Sequence, residues 1–391
     1  MKASFKKADI IPALERAVSI AGKRTNFAIS QCILISAGKD GLTLTANNLD
    51  ASYQTNVTSE VTEPGEVAID AKRLHDIIKT GPDGRIEMDD VEMRWIKITF
   101  SIGKAEFHVV SLDPEEFPDS TELAETPVPV SAALLGRELS RACLISPPPD
   151  DTRAHIQGVC LDWTGREAAE EGKEPLLPGG EKPETPMMSV QSTDAARLSA
   201  GFVPCPNDPH VGGRYPWILA KDSASTLARM LEGREGNCQL AIGDRHMFVE
   251  IDGEKFGARL LEGDWPTCAA IMGIETDKAV EIAAGPLVEC CRRMGIMATE
   301  KYKGTIWDFD DGRLTVAATN PDLGESREEL AVEYDGEAVE TGLNQTFVQA
   351  AVKACGGETV KIEFADSSRP FRFINPARPA DFTCLIMPMQ I

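Results

Sequence analysis

The sequence predicts an α+β fold of three similar domains, each with two helices packed on sheets and about eight strands. Three observations carry this. A helical pattern of apolar residues occurs three times, the same order of alternating strands and a second helix follows each occurrence, and polar, proline-bearing stretches part the repeats. The predicted domains span residues 1–122, 128–272 and 279–391.

The first helix of each repeat is read from "KKADIIPALERAVSIAG", "VPVSAALLGRELSRACLIS" and "IAAGPLVECCRRMGIMA". Ile10, Ile11, Leu14, Ala17 and Val18 keep helical spacing in the first. Leu134, Leu135, Leu139, Ala142 and Cys143 do so in the second, and Leu287, Cys290, Cys291 and Met294 in the third. An alternating strand follows, then a turn rich in Asn or Asp: "LTLTANNLDASYQTNV", "SVQSTDAARLSAG" and "LTVAATNPDLGESREEL". A second strand and helix come next, with Asp70, Asp222 and Asn344 placed to cap the helix and a Gly near its end. Closing strands complete each unit: "WIKITFSIGKAEFHVVSL", "HMFVEIDGEKFGARLLEG" and "PFRFINPARPADFTCLIMP". Two irregular inserts, 164–186 and 202–216, are expected as long loops of the middle domain.

Composition narrows the function classes. Acidic residues outnumber basic ones 62 to 40, giving a net charge of −22, so the averaged surface repels nucleic acid and anionic lipid. The start lacks an unbroken apolar segment, and no stretch approaches the roughly 20 apolar residues of a membrane span. Ten cysteines without a repeated framework or a CxxC pair fit a reducing compartment, so a cytoplasmic protein is expected. His75, His108, His155, His210 and His246 share no metal-ligand spacing with Cys, Asp or Glu, and no nucleophile elbow, phosphate loop or HExxH occurs. Neither a metal, a cofactor nor a catalytic constellation is expected, and an enzyme is the less favoured reading.

Charge sorted by element is more informative than its sum. The predicted helices carry Arg16, Lys72, Arg73, Lys79, Arg137, Arg141, Arg229, Arg292, Arg293 and Lys353, while most acids fall on strands and loops. If the repeats closed into a ring with helices inside, these cations would line a hole. Duplex DNA, with one charge per ~1.7 Å, would then be held through its phosphates and without sequence readout.

Four segments give the chain a family resemblance. "TDAARL" (193–198), "LLEGDWP" (260–266), "NPDLGESREEL" (320–330) and the terminal "LIMPMQI" stand in the order and spacing found in the β subunit of bacterial DNA polymerase III, the sliding clamp, which the chain resembles from end to end. The resemblance implies the DNA clamp fold: helices on antiparallel sheets, and a head-to-tail homodimer closing a six-domain ring around double-stranded DNA. It places Phe107 on one dimer edge, and Ile296 and Met297 on the other. Arg24 and Arg153 are the family-like DNA contacts, with Lys23 adjacent to the first; Arg73, Arg137 and Arg141 join them from the ring geometry.

The same resemblance makes the apolar tail one wall of a groove for short linear peptides of the polymerase III catalytic subunit, the clamp loader and other proteins with clamp-binding motifs. By position that groove comprises Ile156, Thr193, Ala195, Ala196, Arg197, Leu198, Pro266, Ala270, Ile271, Leu385, Met387, Pro388, Met389 and Gln390. Ala195, Ala196, Ala270 and Gln390 depart from the family pattern, which implies a roomier, less basic groove and a divergent or second-copy clamp. The alternative is an adaptor with triplicated domains that never encircles DNA.

Overall fold

The structure, a computed structural model, describes residues 1–21, 27–92, 94–119, 126–147, 153, 156–166, 174, 176, 177, 183–210, 215–297 and 304–390. Its helices are α1 (Lys7–Ala21), α2 (Ala71–Thr80), α3 (Ala132–Ile145), α4 (Lys221–Leu231), the single turn α5 (Ala269–Met272), α6 (Ala284–Met294) and α7 (Gln345–Cys355). Predicted first helices correspond to α1, α3 and α6, and predicted second helices to α2, α4 and α7. None of the helices among the described residues is long and apolar enough to cross a membrane.

The chain folds into two compact units. One comprises residues 1–133, 209–213 and 226–260; the other comprises residues 134–208, 214–225 and 261–391.

In the first unit, strand Lys2–Lys6 pairs with Ser59–Glu63 on one side and Arg85–Glu92 on the other. Trp95–Phe100 and Glu106–Leu112 continue that antiparallel sheet. A second antiparallel sheet runs Gly65–Asp70, Cys32–Gly38, Gly41–Asn47, Ala51–Val57, Glu254–Leu261, His246–Ile251, Asn237–Ile242 and Val128–Ser131. Helix α1 buries Ile10, Leu14, Ala17 and Ile20, three or four residues apart, which gives it one apolar stripe to lay against the sheet. Asp70 caps α2, its side chain accepting from the Arg73 N–H at 2.7 Å.

In the second unit the corresponding sheet runs Trp217–Ala220, Gly158–Trp163, Met187–Thr193, Arg197–Pro204, Phe382–Ile386, Phe371–Ile374, Thr359–Phe364 and Lys278–Ala283. A smaller sheet runs Gly324–Ala331, Arg313–Asn320, Gly304–Asp310 and Val339–Asn344. Between them α6 and α7 enclose a core centred on Trp307, Phe309, Phe364 and Phe371. The Phe309 and Phe364 rings lie 4.7 Å apart, and those of Phe364 and Phe371 5.1 Å apart. Asn344 caps α7, accepting from the Thr346 N–H at 2.9 Å, and Gly356 ends it at φ 64°, a conformation costly for any side chain.

Two sequence expectations need correction here. Asp222 lies inside the first turn of α4 and is not its cap. Residues 202–204 belong to strand Arg197–Pro204, not to a loop, because Phe202 is buried and Met187–Ser189 offer a full ladder to that end of the strand. Most of the other insert lies outside the described residues.

The larger sheet of each unit also joins one repeat to another through backbone hydrogen bonds. Ala51–Val57 pairs with Glu254–Leu261, the closing strand of the middle repeat. Arg197–Pro204 pairs with Phe382–Ile386, the closing strand of the third. We call these junctions seams.

Candidate functional site

The second seam carries an apolar cavity of about 280 Å³ in the second unit, and its shape begins with a turn. After strand Met187–Thr193 the chain reverses through Asp194, Ala195 and Ala196 into Arg197. Thr193 Oγ1 accepts from the Ala195 N–H at 3.1 Å and donates to the Arg197 carbonyl at 2.6 Å. Asp194 Oδ1 accepts from the N–H groups of Ala196 and Arg197 at 3.0 and 2.7 Å. The turn holds Ala195 at φ 72°, the left-handed region. Thr and Asp at 193 and 194 are therefore needed for the turn's own backbone bonds.

Arg197 is an internal strut. Its guanidinium binds Asp194, reaches the Ile145 carbonyl at 3.3 Å and lies 4.1 Å above the ring of Phe347. With its charge met by a carboxylate and its face by a ring, it supplies rigidity and leaves the cavity apolar.

The opposite wall is the chain's end. Met387 donates its N–H to the Ala196 carbonyl at 2.8 Å, and Met389 donates to the Gly342 carbonyl at 2.8 Å. The tail is thus stitched at one point to the turn and at another to strand Val339–Asn344, which fixes the backbone that carries the Leu385 and Met387 side chains along this wall. Trp265, Cys268, Leu198 and Leu385 form a buried floor, where Trp265 Nε1 donates to Gln191 Oε1 at 3.3 Å. Arg372 holds the third side by donating to the Met272 and Ile274 carbonyls at 3.0 and 2.8 Å, just past Ile271 on α5. Burial pushes the Cys268 thiol up to about 11, so it faces the cavity as a neutral SH group.

The cavity brings together Ile156, Thr193, Ala195, Ala196, Arg197, Leu198, Pro266, Ile271, Leu385 and Met387. Ala270, Pro388, Met389 and Gln390, predicted as groove residues, do not line it. The sequence reading missed Thr267 and Cys268, which line it from the turn after Pro266, and Phe347, which supports Arg197 from α7. Position just past the "GDWP" segment could have flagged the first two. Nothing in the sequence pattern aims Phe347 at Arg197.

The predicted DNA contacts separate into groups. Lys23 and Arg24 lie outside the described residues. Arg153, exposed, lines the apolar cavity, where its Nη2 donates to the Asp194 carbonyl at 3.1 Å. Arg73 and its neighbour Lys72 are exposed on α2, with no carboxylate within 4 Å among the described residues. Arg141 is corrected. It is buried, donating to Glu138 at 3.0 and 3.3 Å and to the Cys355 carbonyl at 3.3 Å, so it cannot reach a phosphate. Arg137 also binds Glu138, at 2.7 Å, and faces Asp381 at 3.6 Å. Burial pushes the Glu138 carboxyl up from its ordinary value against the pull of both arginines. Two cations around one carboxylate at a core position form a structural cluster, not a wet helical face.

Other helical cations are paired too: Arg16 with Glu254, Lys79 with Glu15, Arg292 with Glu289 and Arg293 with Glu328. Of the predicted dimer residues, Phe107 is exposed and packs edge-to-face on Phe100, with ring centroids 6.0 Å apart. Ile296 is exposed in the turn after α6. Met297 is half-buried against the core, its carbonyl accepting from Asn320 Nδ2 at 3.0 Å.

Comparison with known proteins bears on this geometry. The N-terminal domain of the DNA polymerase III beta subunit matches residues 1–121, and the C-terminal domain of the same subunit matches residues 270–390. The beta sliding clamp of Pseudomonas aeruginosa is 24% identical over 395 residues, and that of Escherichia coli is 23% identical over 396, each match covering 100% of both chains. Among solved structures, the DNA polymerase III subunit beta from Pseudomonas aeruginosa superposes with a TM-score of 0.85 at 23% identity. A sliding clamp from Bartonella birtlesii bound to griselimycin does so with 0.88 at 18%. Both cover 100% of each chain.

Proposed function

The chain belongs to the DNA polymerase III beta subunit family, and from that premise we propose that it acts as a homodimeric ring that encloses duplex DNA and tethers peptide-bearing partners through the cavity at its second seam. Its function is that of a DNA sliding clamp, a processivity factor without catalysis of its own. Three domains, at residues 1–122, 128–272 and 279–391, are the modules of this reading.

The observation that carries the ring is a count of seams. Three repeats offer three strands of one kind and three closing strands of the other. Two such pairs are made within the chain. The third strand of the first kind, Gly324–Ala331, has a ladder partner on one side only among the described residues, Arg313–Asn320. The remaining closing strand, Glu106–Leu112, pairs with Trp95–Phe100, and only its end meets Ala68 and Ile69 of Gly65–Asp70. Two complementary unfilled edges at opposite ends of the sequence are what a head-to-tail dimer requires, because a heterologous contact repeated twice closes a ring. Phe256 and Phe382, at matching places in the two filled closing strands, are 1% and 2% exposed; Phe107 is 36% exposed.

For DNA we assign Lys23, Arg24, Arg73 and Lys72 as phosphate contacts, with Arg153 shared between DNA and the groove. For protein partners we assign short segments with apolar anchor side chains. The polymerase III catalytic subunit and the clamp loader are the first candidates, and the cytoplasm is the compartment. Flexible, polarizable Met387 suits a wall that accepts several sequences.

The test is topological. The protein loaded on a closed DNA circle should stay bound through a high-salt wash and be lost when the circle is cut once. Equal retention on cut and closed DNA would favour the non-encircling adaptor.

A further inference from the structure

The two seams inside the chain can be compared with the unfilled edges at the level of one side chain. In each first helix an arginine stands between two buried residues: Arg16 between Leu14 and Ala17, Arg141 between Leu139 and Ala142, Arg293 between Cys291 and Met294. A shared turn fixes the equivalence of the adjoining strands. Asn47, Thr193 and Asn320 each accept, through a side-chain oxygen, the N–H two residues on. Eight residues after these positions stand Thr55, Gly201 and Glu328.

The seams meet the arginine's charge in different ways. At the first, Arg16 pairs across the seam with Glu254, two residues before Phe256 on the closing strand. At the second, the matching place two residues before Phe382 is Ala380, and no carboxylate comes from there. Arg141 instead draws on Glu138 of its own helix and sets its guanidinium carbon 5.0 Å from the centroid of the Phe382 ring. The unfilled closing strand copies the second pattern, because two residues before Phe107 stands Ala105. Arg293 likewise draws on its own repeat: Nε and Nη2 donate to the two oxygens of Glu328 at 2.8 and 2.5 Å. The side chains of Arg16 and Arg141 are 29% and 10% exposed, whereas that of Arg293 is 51% exposed.

We propose that Arg293, held flat by Glu328, caps the ring of the partner subunit's Phe107 when the dimer closes, as Arg141 caps Phe382 within the chain. The proposal rests on the dimeric-ring reading above. Two-pronged anchoring fixes the guanidinium before association, so the contact forms with little further loss of rotamer freedom. Burial of the exposed face against an aromatic ring strengthens the attraction, since a desolvated cation over a ring is held more tightly than a wet one.

The experiment is a dimer dissociation constant for the full-length protein, measured by sedimentation across a dilution series. Arg293→Lys keeps the charge but loses the planar face; Phe107→Leu keeps apolar bulk but loses the ring. Each should weaken the dimer roughly 5- to 20-fold, and the double variant should be no more than about twofold weaker than the worse single one, the signature of one shared contact. Because Arg293 is half exposed in the subunit, these variants should keep the wild-type far-ultraviolet circular dichroism, so that a weaker dimer is not a misfolded one. A wild-type dimer whose constant is unmoved by Arg293→Lys, or fully additive losses in the double variant, overturns the contact and leaves the ring standing. A wild-type protein that stays monomeric at every concentration overturns both.

Discussion

Asp194 grips Arg197 through a single carboxylate oxygen, Oδ2, which accepts from Nε at 2.9 Å and from Nη2 at 2.7 Å. Both side chains are about nine-tenths buried, so neither can exchange its partner for water. The pair closes the turn that forms one wall of the cavity, and from it the first prediction follows. Asp194→Ala leaves a buried guanidinium without its carboxylate and should lower stability by about 3 kcal/mol. Asp194→Asn, which keeps the turn's backbone bonds, should recover part of that. Urea unfolding of the three proteins checks it, and equal midpoints would show that the pair is not a strut.

Ala195 sits between these partners at φ 72°, where its Cβ crowds the backbone. Glycine at this place removes that crowding but gains freedom in the unfolded chain, and the two effects partly cancel. Ala195→Gly should therefore stabilise by about 0.5–1 kcal/mol, read as a rise in melting temperature. A drop would mean that the turn tolerates the left-handed conformation at no cost.

Met387 and Ile271 face the cavity from different segments and are both partly exposed. Truncating either should remove apolar contact from a bound peptide without disturbing the core. Met387→Ala should weaken binding of an apolar clamp-motif peptide roughly tenfold, with an unchanged melting temperature. Ala270→Arg, outside the cavity, should change affinity less than threefold. Calorimetric titration with one peptide decides both, and the reverse ranking would move the groove.

Much of this was legible in the sequence because it depends on short-range periodicity. Leu14, Leu139 and Cys291 declare the buried stripe of a helix wherever they occur, and "TDAARL" carries the backbone-bonding side chains of its own turn. The ion pairs were not legible, since their partners are remote along the chain: Arg16 meets Glu254, 238 positions away. A lysine or arginine on a helix looks alike whether it faces water or a carboxylate from another repeat. Arg141 is a different case: its carboxylate partner Glu138 stands three residues away on the same helix, and what the sequence hid is the burial of that pair, set by the remote Cys355 carbonyl and Phe382 ring. Cys268 was missed because a buried thiol's residue type says only that it is apolar, and its place just past "GDWP" was the one signal it carried.

Cys268 lines the cavity as a thiol whose burial raises it to about 11. Alkylation needs the thiolate, and a raised value leaves less of it at neutral pH, so labelling should be slow at pH 7.5 and quicken as pH climbs toward 11. A saturating peptide should slow it further by covering the sulfur. Mass-spectrometric rates at Cys268, with and without peptide, test this; a fast peptide-insensitive reaction at neutral pH would place the thiol outside the groove.

Arg73 and Arg141 carry the same charge on two helices, yet one is exposed without a carboxylate partner among the described residues and the other is buried against Glu138. A phosphate contact releases condensed counterions, so its loss shows in the slope of log affinity against log salt; a buried strut shows in stability. Arg73→Ala should reduce the magnitude of that slope for duplex DNA by about one unit and leave unfolding unchanged. Arg141→Met should leave the slope alone. It should cost about 2–3 kcal/mol, because Glu138 loses one of its two cations and the Cys355 carbonyl loses its donor. Measured side by side at several salt concentrations, the two variants separate enclosure of DNA from the rigidity of the body that encloses it. An Arg141→Met protein with full stability and a reduced slope would return this residue to the DNA surface.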